Sequence, residues 1–180
     1  LEPTLPQGVK IVPFYDRGNL VERAVSTVTK ALGEAIVLVL VLLLLFLGNL
    51  RAALVVALIL PLSALATFVL MQQWGLWANL MSLGGLAIAI GMLVDAAVVV
   101  VENIEARQAE PGISRLHNLY RATQEVATPV SAGVVVIMIV FLPLLTLQGL
   151  EGKLFGPVAL TIVFALGASL LLSFTVIPVL

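Results

Sequence analysis

Two carboxylates define the chemistry open to this chain. Asp95 sits in Gly91-Met-Leu-Val-Asp95-Ala-Ala-Val-Val-Val-Val-Glu102-Asn103, and no other acid or base occurs between Arg51 and Glu102. A charge in such an apolar run costs at least about 2.5–3.5 kcal/mol inside a bilayer. Asp95 must therefore face a bundle interior, a water-filled cavity or a cationic partner. Removal from water favours the neutral form of a carboxyl. A group here that alternates between neutral and charged is suited to relay protons. Glu102 follows seven residues later, which is about 10 Å of helix rise. That is nearly two turns, so both carboxylates project from about the same face. Glu102 falls at the watery end of the run, either as an exit step of a proton path or as an interfacial acid. Asn103 is placed to cap the helix end. The plainer role for Asp95 is a packing ion pair, but the apolar runs hold no basic partner for it.

Other chemistries fail on counting. With no cysteine, thiol nucleophiles, disulfides and zinc–thiolate clusters are excluded. His117 is the only histidine and cannot build a metal site alone. An intramembrane aspartyl protease needs two membrane aspartates, and a serine site needs a base. A Gly-rich phosphate loop with its Lys is absent, so this segment draws no energy from ATP. The net charge of −1 supplies no basic patch for nucleic acid. Four methionines, Met71, Met81, Met92 and Met138, carry thioethers that suit soft monovalent metals. Met81 and Met92 are the candidate ligands, although methionine is also an ordinary core or lipid-facing residue. Hydroxyls of Thr161, Ser169, Ser173 and Thr175 are candidates to bond Asp95 or a water chain, against the commoner local bond to a preceding carbonyl.

The elements that must hold these groups are membrane helices. The 180 residues are 61% hydrophobic and 11% charged, with mean hydropathy +1.18. A soluble domain carries about 25% charge. Single strands cannot cross lipid, because their backbone groups stay unpaired. The expected fold is all-α, a polytopic transmembrane bundle with spans at about 34–47, 52–71, 81–101, 130–147 and 158–177. The segment 1–17, with Pro3, Pro6, Gly8 and Pro13, is extended rather than helical, and 18–180 form the membrane domain. Residues 18–33, where Leu20, Val21, Ala24, Val25, Val28 and Leu32 recur at helical spacing, form an amphipathic helix with Asn19 as its candidate cap, either an ordinary surface helix or an interfacial helix that turns into the span. The linker 102–129 holds a second surface helix over 113–128, with Ser114 as its cap and Ile113, Leu116, Leu119, Tyr120 and Val126 toward the membrane. The chain begins at Leu1 and ends inside an apolar run, so it is expected to be a piece of a longer polypeptide.

Arg51, Arg107, Arg115 and Arg121 lie on the 48–51 and 102–129 connections, whereas the other two short loops carry only Lys153. The excess of positive charge orients the first set to the cytoplasm. Trp74 and Trp77 suit the opposite headgroup belt. Pro61 and Pro143 interrupt spans two and four as kinks. Gly84, Gly85 and Gly91, with Ala87, Ala89, Ala96 and Ala97, form a small-residue packing face opposite Asp95.

The run from Gly91 to Asn103 resembles the fourth-transmembrane-helix signature of resistance-nodulation-division (RND) efflux pumps. Asn79-Leu-Met-Ser-Leu-Gly-Gly85 before it and Leu154-Phe-Gly-Pro157 after it are similar to the CusA/CzcA-like heavy-metal-efflux branch. The resemblance covers essentially the whole chain. It implies the end of a first periplasmic domain followed by transmembrane helices two to six. It also implies a multi-pass pump of the bacterial inner membrane, exporting heavy-metal cations by proton antiport, with Asp95 and Glu102 in the proton relay. It implies further a homotrimer, a basic partner on a helix outside this chain, a periplasmic adaptor and an outer-membrane channel. Membrane lipid is the remaining partner, no nucleic acid is involved, and the metal is cargo rather than a resident cofactor. Two departures leave the cargo open. Ala89 stands where divalent-cation pumps carry an aspartate. Of the methionine ladder of monovalent pumps, Met81 matches one rung, while Leu93 and Leu166 stand at two others. A drug or lipid transporter of the same superfamily, and a membrane sensing or assembly module, are the rival readings.

Overall fold

The computed structural model describes residues 17–108 and 115–179. The expectations for 1–16, Ile113 and Ser114 lie outside those residues. Among the described residues all regular structure is helical: α1 (Arg17–Leu47), α2 (Leu50–Gln73), α3 (Leu80–Gln108), α4 (Arg115–Leu145) and α5 (Gly149–Thr175). All five are long and apolar enough to span a bilayer.

The helices are longer than the apolar runs. The lead-in 18–33 and the first span are one unbroken helix, α1. Nothing between them stops a helix: Gly33 costs only about 1 kcal/mol relative to Ala. Asn19 lies inside α1 instead of capping it, and of the lead-in's apolar set only Val28 is buried, with Leu20, Val21 and Val25 exposed. Likewise α3 runs past Val101 to Gln108, because Glu102 to Gln108 contain neither Gly nor Pro. Asn103 is thus a helix-interior residue, not a cap. The surface helix expected over 113–128 and the fourth span are also one helix, α4, which continues through Pro129 and Pro143. Pro61 sits within α2 and Pro157 within α5 in the same way. In a bilayer, neighbouring groups readily satisfy the backbone that a proline frees.

The connections are chemically specified. Asn49 caps α2, its Oδ1 accepting from the Arg51 backbone N–H at 3.0 Å. Gly75, at φ +67°, ends α2 in the left-handed conformation that side chains disfavour. The Leu76 N–H then reaches Met71 O (2.9 Å) and the Gly75 N–H reaches Gln72 O (3.2 Å), the paired bonds of a Schellman cap. Asn79 and Ser82 start α3 reciprocally: the Ser82 N–H donates to Asn79 Oδ1 at 2.8 Å, and the Asn79 N–H to Ser82 Oγ at 2.9 Å.

Helix α3 is central, packing against the other four and most extensively against α5. Leu86, Ile90, Leu93 and Val100 of α3, Ile59 and Leu60 of α2, and Ile162 and Leu166 of α5 are buried in one core. At one end of the bundle a set of polar ties joins the elements. Asn49 Nδ2 donates to Glu105 Oε1 (2.8 Å), Asn103 Nδ2 to Ala122 O (2.8 Å) and Asn118 Nδ2 to Arg107 O (3.2 Å). These ties account for α4: its start is fastened to the end of α3, with Asn118 and Ala122 buried, and Leu116 and Tyr120, expected on the membrane face, stand exposed. At the other end the rings of Trp74 and Phe164 meet at 5.4 Å between centroids.

Asn49 serves both the α2 cap and the tie to Glu105. Asn49→Ala is expected to destabilise by about 1 kcal/mol through the lost cap, read as a lower thermal midpoint of the full-length protein in detergent. Asn49→Asp keeps the cap but sets a carboxylate against Glu105, so it should recover only part of the loss. A midpoint unchanged in Asn49→Ala would refute the tie.

Candidate functional site

The site is a stripe on α3. Ser82, Leu83, Gly85, Leu86, Ala89, Ile90, Leu93, Ala96, Ala97, Val100, Val101 and Ile104 point into the bundle. The remaining turns leave Met81, Gly84, Ile88, Gly91, Asp95, Val99 and Glu102 exposed along one line. Asp95 and Glu102 therefore share a face, as their spacing requires, and the described residues leave that face uncovered. Asp95 makes no hydrogen bond or ion pair with the described residues. A carboxyl flanked by apolar turns on a helix of span length is costly to hold as a charge unless something pairs with it.

Three expectations are corrected here. The small residues do not form one face opposite Asp95: Gly84 and Gly91 lie on its own line, while Gly85, Ala89, Ala96 and Ala97 are buried. Of the three glycines of α3 only Gly85 is pressed, since a Cβ built there would sit 2.8 Å from Val158 O, whereas Gly84 and Gly91 have open space. The hydroxyls of α5 do not reach Asp95. Thr161 donates to Pro157 O (2.7 Å), Ser169 to Leu93 O (2.8 Å) and Thr175 to Leu171 O (2.6 Å), and buried Ser173 Oγ has no partner among the described residues. Two of these are the local bonds that hydroxyls prefer in helices; the Ser169 bond ties α5 to α3. Met81 and Met92 are not brought together: eleven residues of α3 separate them by about 16 Å. Met81 is exposed and Met92 half-buried. Among the described residues, no three His, Asp or Glu side chains gather to hold a metal ion. Ala89, Leu93 and Leu166 are all buried in the core, so apolar side chains fill the positions where the resemblance puts an acid or thioethers.

The polar end carries the Arg107–Glu125 ion pair, with Arg107 Nη2 at 2.8 Å from Glu125 Oε1 and Nε at 3.2 Å from Oε2. The Arg107 guanidinium, aided by the Asn103 amide, holds the Glu125 carboxyl below the usual carboxylate range. Sequence reasoning missed this pair, the Asn49–Glu105 bond and the Asn118 tie. Residues 11 to 56 positions apart on different helices or connections leave no periodic signal.

These features define a class: a multi-pass membrane protein whose central helix carries an acid within its span. Comparison places it further. The sequence profile of the AcrB/AcrD/AcrF family matches residues 1–180, and the chain belongs to that family. It is 47% identical to the cobalt-zinc-cadmium resistance protein CzcA of Cupriavidus metallidurans, over 97% of this chain and 17% of that protein. It is 41% identical to the cation efflux system protein CusA of Escherichia coli, over 100% of this chain and 18% of that one. The crystal structure of a heavy metal efflux pump matches with a TM-score of 0.78 and 44% identity, covering 98% of this chain and 17% of the pump. The resemblance to the heavy-metal-efflux branch of the RND pumps is borne out. The chain spans less than a fifth of the length of these relatives.

Proposed function

We propose that this chain is part of the membrane domain of a proton-driven pump that exports heavy-metal cations across the bacterial inner membrane. The observation that carries the reading is Asp95: an acid at span depth on the central helix, exposed on a line with Glu102 and without a partner among the described residues. Helices elsewhere in the same polypeptide cover that line and supply the basic partner. Protonation of Asp95 removes its charge and releases that partner, so the two states of the carboxyl favour two packings of the bundle. A proton moving down 100 mV supplies about 2.3 kcal/mol. That free energy drives rearrangement of the parts outside the membrane, where a homotrimer would join a periplasmic adaptor and an outer-membrane channel. Glu102, at the arginine-rich end, passes the proton to the cytoplasm.

The metal is the substrate, and relatives named for cobalt, zinc and cadmium and for cation efflux support that class. Met81 is the candidate metal contact on the open line; Met92, about 16 Å further along α3 and half-buried, cannot share an ion with it.

The test uses the full-length protein in sealed lipid vesicles, with a metal-sensitive dye and zinc, cobalt and copper(I) compared. Metal movement is expected only while a proton gradient is imposed, and is expected to stop when an ionophore collapses it. Movement that persists after collapse would reject proton coupling. No movement of any of the three metals would reject the cargo class.

A further inference from the structure

The tie between Asn103 and Ala122 stands one residue beyond Glu102. Asn103 is half-buried, and its Nδ2 donates to the Ala122 carbonyl of α4 at 2.8 Å. Arg107, one turn further along α3, holds Glu125 of α4, with Nη2 at 2.8 Å from Oε1 and Nε at 3.2 Å from Oε2. On the other flank Glu105 Oε1 accepts from the side-chain amide of Asn49 at 2.8 Å. Asn49 is itself fixed by capping α2.

A helix turns about 100° per residue. Measured round α3 from Glu102, Asp95 falls within about 20°, Asn103 and Arg107 about 100–140° to one side, and Glu105 about 60° to the other. The line of acids thus runs between two sets of directional bonds, one to α4 and one to α2. Val100, Val101 and Ile104 pack the buried side of this end. Apolar contact is non-directional, whereas hydrogen bonds weaken steeply when misaligned. The bond from Ser169 of α5 meets α3 at Leu93, nine residues and about 14 Å before Glu102. The polar ties therefore set the rotation of the last two turns. Among them the Asn103 bond is the most sheltered, because Ala122 is fully buried. Arg107 and Glu125 are 31% and 46% exposed, and an ion pair so exposed contributes little.

We propose that Asn103 is a positioning residue for the proton relay: its amide, anchored on the Ala122 carbonyl, holds the end of α3 at the rotation that keeps Glu102 in line with Asp95. The inference rests on the relay reading of those two acids and on bonds made within this chain. Asn103 takes no proton itself and acts through Glu102. Losing its amide leaves no orphaned acceptor, since the Ala122 carbonyl, inside α4, keeps the N–H four residues on. Asn103→Ala is thus suited to separate position from folding.

The test is a double-mutant cycle on the full-length protein in sealed lipid vesicles. It follows whichever of zinc, cobalt and copper(I) the wild type moves fastest under an imposed proton gradient. Asn103→Ala is expected to lower the maximal rate about fivefold, the effect of one ordinary net hydrogen bond, with the KM for metal unchanged. Asn103→Gln, which keeps the amide, should recover part of the rate. In a Glu102→Gln background, adding Asn103→Ala should cause no further loss, because the group it positions is already gone. An equal loss in both backgrounds would make Asn103 a general packing residue and overturn the proposal; so would a wild-type rate in Asn103→Ala. Arg107→Gln supplies a second variant in case Asn103→Ala does not accumulate. Its smaller loss should vanish in the same background, and an additive one would overturn the proposal. Wild-type transport that persists after an ionophore collapses the gradient would reject the relay reading and this proposal with it. Additive losses with the gradient dependence intact would reject this proposal alone.

Discussion

Asp95→Asn in the full-length protein is expected to reduce metal efflux to background while the protein inserts at wild-type levels or better. The amide has nearly the shape of the carboxyl, so the packing of Ala96, Ala97 and Leu93 on the buried side of α3 is untouched. It also removes the about 2.5–3.5 kcal/mol that an ionised group costs at such a depth, which favours insertion. What it cannot do is gain and lose a proton. If coupling runs through this group, the pump is fixed in the neutral state and transport stops, even with a full gradient. The measurement is efflux from cells or vesicles, normalised to the amount of protein in the membrane. Normal efflux would remove Asp95 from the relay. Loss of assembly with retained insertion would favour the rival reading, in which Asp95 only pairs with a partner helix. Glu102→Gln is the informative companion. Glu102 is exposed at the polar end, where water can substitute for it as a proton acceptor, so a partial loss is expected rather than a complete one.

The sequence carries the membrane class, the number of spans and the shared face of Asp95 and Glu102, because each depends on local composition or on helical period. The extents of the helices are another matter. Apolar runs report where lipid is, whereas a helix ends where its backbone is capped or broken. Asn103 has the residue type of a cap, yet the chain beyond it has no breaker, and its amide bonds to Ala122 O instead. The same error misplaces Glu34 of α1. Once residues 18–33 are taken as a separate surface helix, Glu34 falls at a membrane edge; once α1 is continuous, it falls well inside. Packing partners were equally invisible, since Gly84 and Gly85 are neighbours in sequence and only the backbone of α5 distinguishes them.

That distinction yields the second large effect, at Gly85. A Cβ there would meet Val158 O at 2.8 Å and Val158 Cα at 3.1 Å. Both are backbone atoms, so no rotamer change relieves the contact. Nor is α5 free to retreat. Thr161, three residues on, is fully buried with its hydroxyl 3.8 Å from Met71 Sδ of α2, and Ser169 bonds the Leu93 carbonyl of α3. Gly85→Ala must therefore push apart the most extensively packed helix pair in the bundle. Overpacking of this kind costs about 1–3 kcal/mol, which exceeds the gain of up to about 1 kcal/mol that Ala brings to a helix interior. The variant is expected to unfold at a lower temperature in detergent, and Gly85→Leu to fail to accumulate in the membrane. Gly133 of α4 is the control, because a Cβ there meets nothing within 4 Å and Gly133→Ala should hold or raise the midpoint. If Gly85→Ala matches that control, the backbones of α3 and α5 are not in contact at this turn. The line bearing Asp95, fixed on the far side of α3 by that same contact, would then be free to rotate. Its position would have to be set by helices outside the chain.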